Sequence, residues 1–148
     1  EAEGGGAAGE GEGRVGRAVD VESGDVAETR DAARRLLEHA ARVSDPARRI
    51  DAAKDLTGKK GTSAGERDQL AAFLRALASL VRDLGIIASR ADSRMLANAD
   101  LGPQLEKLGQ VYDADRTNRA YLAIDRALGA LERNASPKVV ADWLVLQL

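Results

Sequence analysis

Cysteine is absent from this 148-residue chain, which excludes disulfide frameworks, thiolate metal ligation and nucleophilic thiol chemistry. Aromatic residues are scarce, with one Phe, one Trp and two Tyr. Since β-branched residues are also few beside Ala and Leu, the composition favours helix over sheet. The single histidine, His39, has no companion at metal-ligand spacing and is expected at a surface or boundary. No apolar run approaches the roughly 20 residues that cross a bilayer, and the N-terminus lacks the basic-then-apolar layout of a secretory signal, so a cytoplasmic protein without membrane contact is expected. Nor does one sign of charge dominate. The 22 basic and 24 acidic residues are mixed along the chain and leave a net charge of −2, which is no strong electrostatic footprint for nucleic acid.

What the chain does contain points to an all-α fold, one bundle of five to six helices. Residues 1–13 are dominated by Gly, Ala and Glu and predict a disordered linker with nothing to bury. Residues 14–24 read as a connector of a helical turn or two, broken at Ser23-Gly24-Asp25, and 25–148 as the helical domain. The chain opens on Glu1 rather than Met, which suggests a piece excised from something longer.

Asp25 with Glu28 predicts a capped start for a first helix running to about Val43. Leu36, Ala40 and Val43 fall on its inner face, with Asp31–Arg35 and Glu38–Arg42 as i,i+4 pairs outside. Ser44-Asp45-Pro46 stops that helix and opens a short second one ending near Leu56. After the polar loop Gly58-Lys59-Lys60-Gly61-Thr62, Ser63 and Glu66 form a capping box. It leads into the longest helix, with Leu70, Phe73, Leu74, Leu77, Leu80, Val81 and Leu84 inside and fraying near Ala88.

Residues 89–98 predict a polar connection anchored by Met95 and Leu96. Asp100 is then expected to cap a helix bearing Leu101, Leu105, Leu108 and Tyr112. Asp113 or Asp115 caps a fifth helix with Tyr121, Ile124, Leu128 and Leu131 as its stripe, widened by Ala120 and Ala127 and ending at Asn134. Ser136-Pro137 opens a last helix that is apolar almost all round and so requires neighbours on nearly every side, in the bundle or on another subunit.

No chemistry stands out. Gly4 to Gly9 and Gly11 to Gly16 match the glycine pattern of dinucleotide sites but follow no predicted strand. The Gly58–Thr62 loop lacks phosphate-loop spacing, and the carboxylates are spread over solvent faces beside basic neighbours. No catalytic, cofactor-binding or metal-binding residue is expected. The doublets Arg34-Arg35 and Arg48-Arg49, with Lys59 and Lys60, are the only candidates for a nucleic-acid patch, and a solvated, paired face is the better reading of them.

The run Ala127-Leu128-Gly129-Ala130-Leu131-Glu132-Arg133-Asn134-Ala135-Ser136-Pro137-Lys138, continuing through Trp143-Leu144-Val145-Leu146-Gln147-Leu148, resembles the close of the bacterial DNA polymerase III clamp-loader subunits. Asn98-Ala99-Asp100-Leu101 is similar to the entry of an earlier helix in that family. Gly13-Arg14-Val15-Gly16-Arg17-Ala18-Val19 resembles the end of its lid domain. Where the ATP-hydrolysing subunits carry a nucleotide-sensing Arg this chain has Gly16, with Arg17 one place later, which resembles the delta-prime type and leaves gamma/tau as the alternative. The resemblance implies a collar domain over 25–148, preceded by the end of a lid over 14–24. It implies a non-catalytic role in DNA replication, holding the loader pentamer together through gamma/tau and delta partners. Contacts to the sliding clamp and DNA would be made only by domains upstream of Glu1. A subunit interface is expected from Tyr121, Leu128, Asn134, Pro137, Val140, Trp143 and Leu144.

Overall fold

A computed structural model describes the backbone of residues 9–57 and 63–148, with side chains from residue 25 onward, Ser63 apart. Among the described residues it contains six α-helices, two 3₁₀ turns and no strand, an all-α bundle. The helices are α1 (Gly9–Arg42), α2 (Pro46–Ala53), α3 (Ser63–Ala88), α4 (Gly102–Gly109), α5 (Ala114–Glu132) and α6 (Pro137–Gln147), with 3₁₀ turns at Ser93–Met95 and Ala99–Leu101. The chain divides into two compact units, 1–31 and 32–148. Most of the expected 1–13 linker and the Gly58–Thr62 loop lie outside the described residues.

The first helix departs from expectation. It passes through Ser23-Gly24-Asp25 without a break and begins at Gly9, so Asp25 is not a cap. A glycine inside a helix costs about 1 kcal/mol relative to alanine but leaves every backbone donor in place, and no proline in this stretch removes one. The Thr29 hydroxyl donates to the Asp25 carbonyl at 2.8 Å, an i−4 bond that continues the helical pattern. Gly16 and Arg17 fall in the part of α1 whose side chains are not described.

In the unit 32–148 the core is built around α3. Leu70, Leu74, Leu77, Leu80, Val81 and Leu84 are completely or almost completely buried, with Phe73 beside them. They recur at three- and four-residue spacing, so one face of α3 is apolar along its length. Burying one such leucine contributes about 1.5–3 kcal/mol relative to leaving it in water. Helix α3 packs against α5, α4 and α6, while α6 also packs against α2 and α5. Ala33, Leu36, Leu37 and Ala40 of α1 belong to the same core, and on its outer side Arg34 pairs with Glu38 at 2.8 Å.

Helix ends follow local chemistry. Asp113 accepts from the Arg116 amide at 2.8 Å and Ser136 from the Val139 amide at 3.4 Å, so both are true N-caps. Asp45 stands at the N-cap of α2 without a side-chain cap bond, and Pro46 takes the first helical position. Helix α4 starts at Gly102 with Leu101 at its N-cap, so Asp100 sits in the preceding 3₁₀ turn rather than capping.

Two helices end on left-handed residues, α5 at Asn134 with φ 65° and α3 at Arg90 with φ 59°. At each, the next amide reaches back five residues, Ala135 to Ala130 at 3.0 Å and Ala91 to Ile86 at 3.2 Å. These are Schellman ends, usually held by glycine. Asn tolerates the conformation, but Arg90 meets the Cβ clash and its exposed side chain bonds to nothing among the described residues. Arg90→Gly is therefore expected to stabilise the protein by about 0.5–1 kcal/mol, a Tm gain of about 2–4 °C in a thermal melt. An unchanged or lowered Tm would show that the left-handed turn carries no strain.

Candidate functional site

Helix α6 presents two apolar faces. Pro137, Val140, Ala141, Leu144 and Val145 are buried inward. On the other side Val139 is 64% and Leu146 41% exposed, with partly buried Trp143 between them. Positions 139, 143 and 146 are spaced i, i+4, i+7, which stacks them in one row along a helix face. A helix side turned only to water is usually polar, whereas this one carries three apolar residues and one carboxylate, Asp142, at i+3 from Val139. The neighbouring charges are the exposed Lys138 and the half-buried Asp142, which pair with each other at 3.1 Å and so leave the row formally neutral.

The expected interface residues separate accordingly. Pro137, Val140 and Leu144 are committed to the chain's own core, where they hold α6 in place but touch no external surface. Trp143 lies half-buried at the edge of that core, and Leu128 is partly buried against it. Asn134 is exposed and serves the turn between α5 and α6. Tyr121 is 45% exposed and stands outside the stripe assigned to it, because the buried face of α5 is Thr117, Ala120, Ala123, Ile124, Ala127 and Leu131. Four of those six residues are Ala or Thr, with Ile124 and Leu131 as the larger members, and Tyr121 falls outside them, on an exposed side of the helix.

A second arrangement fixes the ends of the helices that carry this surface. Arg49 of α2 is buried, and its guanidinium donates to the carbonyls of Val43 at 2.7 Å, Ala40 at 2.8 Å and Val145 at 3.3 Å. Arg116 of α5 donates to Ala40 at 3.1 Å and Leu148 at 3.0 Å, and the Tyr112 hydroxyl also donates to Leu148 at 3.2 Å. The Arg116 guanidinium stacks 4.4 Å from the centre of the Tyr112 ring, a cation–π contact. The carbonyls of Ala40, Val43 and Val145 near the C-terminal ends of α1 and α6 carry partial negative charge, and the two arginines satisfy them there. Arg49 is thus an internal strut, which removes it from the basic surface expected of Arg48-Arg49.

Burial pushes the Tyr112 phenol above its ordinary value of 10.0, because the phenolate would be desolvated, while the charges of Arg116 and Arg49 and a hydrogen bond from Arg116 offset part of this. The folded chain therefore keeps this proton to higher pH than the unfolded chain. The resulting stability is fully present below about pH 10 and is lost as pH rises above it. Chemical denaturation at a series of alkaline pH values should give a shallower loss for Tyr112→Phe than for the wild type. Identical slopes would exclude Tyr112 as a contributor.

A third cluster lies at the 89–101 connection. Asp83 of α3 is fully buried. Its carboxylate accepts from the Ala97 amide at 2.9 Å, the Asn98 amide at 2.7 Å and the Asn98 side-chain amide at 2.9 Å. Asn98 also donates to Ser79 Oγ at 3.1 Å. This polar lock, not Met95 and Leu96, anchors the connection. Met95 is 55% exposed and Leu96 only partly buried.

His39 is partly buried on α1, and its Nε2 has no hydrogen-bond partner among the described residues. Among those residues no three of His, Asp and Glu gather as a metal site, and no helix is long and apolar enough to cross a membrane. Comparison of the chain with protein-family models, with curated proteins and with solved structures finds no match to any of them.

Proposed function

We propose that this chain is a protein-interaction module, the collar domain of a bacterial clamp-loader subunit of the delta-prime type, holding neighbouring subunits together during sliding-clamp loading. The observation that carries the reading is the outward apolar row Val139, Trp143 and Leu146 on α6. Exposed apolar side chains grouped on one helix face support a partner-binding reading. It lies in the closing segment 127–148 whose sequence resembles the family, and partners of that class would be the gamma/tau and delta subunits. The role needs no catalysis from this chain. The alternative of a nucleic-acid surface loses Arg49 to backbone carbonyls and Arg34 to its pairing with Glu38.

The test is size-exclusion chromatography of the chain mixed with the gamma/tau and delta subunits of the same organism, for wild type and for Val139→Glu/Leu146→Glu. The wild type is expected to co-elute in a discrete complex. The double variant, altered only where side chains are already exposed, is expected to elute alone with a Tm within about 2 °C of the parent. Elution of the wild type as an indifferent monomer would refute the collar reading.

A further inference from the structure

A groove of about 360 Å³ runs between α3 and α5, floored by Val81, Gly85, Ala88 and Thr117 and flanked by Tyr121 and Arg82. Its depth comes from small residues. A Cβ placed on Gly85 would meet nothing closer than the Thr117 methyl at 3.9 Å. The Thr117 hydroxyl is turned away to the Tyr112 carbonyl at 3.2 Å, so Thr117 offers only its methyl to the groove. Tyr121 stands beside this floor with nearly half its surface in solvent.

The electrostatics of the groove are one-sided. Arg82 is its only charged lining residue, and no acidic side chain lines it. Arg82 is exposed and makes no hydrogen bond or ion pair with any described residue. On the facing helix α5, Arg119 is held by Asp115 at 3.2 Å and so is not available in the same way. An apolar recess with a single unpaired cation at its edge complements a ligand that is apolar at its tip and anionic beside it. The volume is at the low end of small-molecule sites, and it suits an inserted side chain. The recess also runs between two long helices, so a third helix laid along it would present residues at three- or four-residue spacing.

We propose that the α3–α5 groove receives a helix of a partner protein, which inserts one large apolar side chain between Gly85 and Tyr121 and sets a carboxylate, one turn away, on Arg82. This site is separate from the outward row of α6 and does not depend on the collar reading. Its occupant is defined by chemistry: Leu, Met or an aromatic residue with Asp or Glu at i±3 or i±4.

The test pans a randomised library of helical peptides, displayed on phage, against the chain of residues 1–148. The peptides recovered are then measured against Arg82→Glu and Gly85→Leu. The first variant reverses the charge on an exposed side chain. The second fills the recess without removing any core atom. Circular dichroism and Tm confirm that each variant folds. The expected result is enrichment of peptides carrying the apolar–acidic pair, with binding weakened at least about tenfold by either substitution. The proposal is overturned if no peptide is enriched, if enriched peptides lack the carboxylate, or if they bind both variants as tightly as the parent. It is equally overturned if the chain self-associates and both substitutions abolish this, since the occupant would then be a second copy. Failure to co-elute with clamp-loader subunits would remove the collar reading and leave this result standing.

Discussion

Arg49→Ala is expected to destabilise the protein by about 3 kcal/mol or more, measured as a fall in denaturant midpoint at unchanged m-value. The side chain donates to three carbonyls, of Ala40, Val43 and Val145. Charge-assisted bonds of this kind contribute about 1.5–3 kcal/mol each in favourable cases, and buried acceptors left without donors cost further. The contributions do not add fully, because Arg116 also reaches the Ala40 carbonyl. Arg49→Lys should rescue little, because one ammonium cannot reproduce a planar fork aimed at three separate oxygens. A loss below about 1 kcal/mol for the alanine variant would mean that water takes over the carbonyls and that the strut is dispensable.

Asp83→Ala is the second substitution with a large expected effect, again about 3 kcal/mol. It would remove the acceptor of the buried Asn98 amide, of the part-buried Ala97 amide and of one N–H of the Asn98 side chain, whose other bond to Ser79 remains. Its signature differs from that of Arg49→Ala. The lock joins α3 to the connection that precedes α4, so hydrogen exchange at the Ala97 and Asn98 amides should accelerate beyond what the global loss predicts. Asp83→Asn keeps one acceptor oxygen and exchanges the other for a donor facing donors, so it should fall between parent and alanine. Equal protection of Ala97 and Asn98 in parent and alanine variant would contradict the lock.

Much of the helical framework was legible because its signals are local. Pro46, Asp113, Ser136 and Pro137 mark starts by what they do to the next few backbone groups, and the spacing of Leu70 through Leu84 marks a buried face whatever it packs against. The missed features depend on residues distant in sequence. Arg49 looked like half of a surface doublet because the Val145 carbonyl that it caps lies 96 residues away. Asn98 carried no sign that Asp83 was waiting for it, and the apolar Met95 beside it was the more obvious anchor. Helical spacing alone sets Tyr121 in one stripe with Ile124, Leu128 and Leu131, whereas the buried face of α5 is centred on Thr117, Ala120, Ala123, Ile124 and Ala127, and the turn of the helix that faces inward depends on its neighbours. The unbroken passage of α1 through Gly24 shows the limit of a glycine as a stop signal when no proline follows it.

For the candidate surface, the sequence showed that α6 is apolar on more than one side, and this is the property on which the proposed role turns. It did not show which half is inside. Leu144 and Leu146 differ by 200° around a helix of 3.6 residues per turn, and only the positions of α2, α3 and α5 decide that the first is core and the second is surface.

The place of α6 in the chain order also bears on biosynthesis. Val140, Ala141, Leu144, Val145 and Leu148 belong to the core of their unit, yet the ribosome makes them after residues 32–136 of it. Until residues 137–148 have left the exit tunnel, the nascent bundle lacks its closing wedge, and its leucine-lined interior stays wet and accessible to holdase chaperones. This unit therefore completes its core only once residues 137–148 emerge, so a ribosome stalled shortly before them would display a collapsed, sticky intermediate.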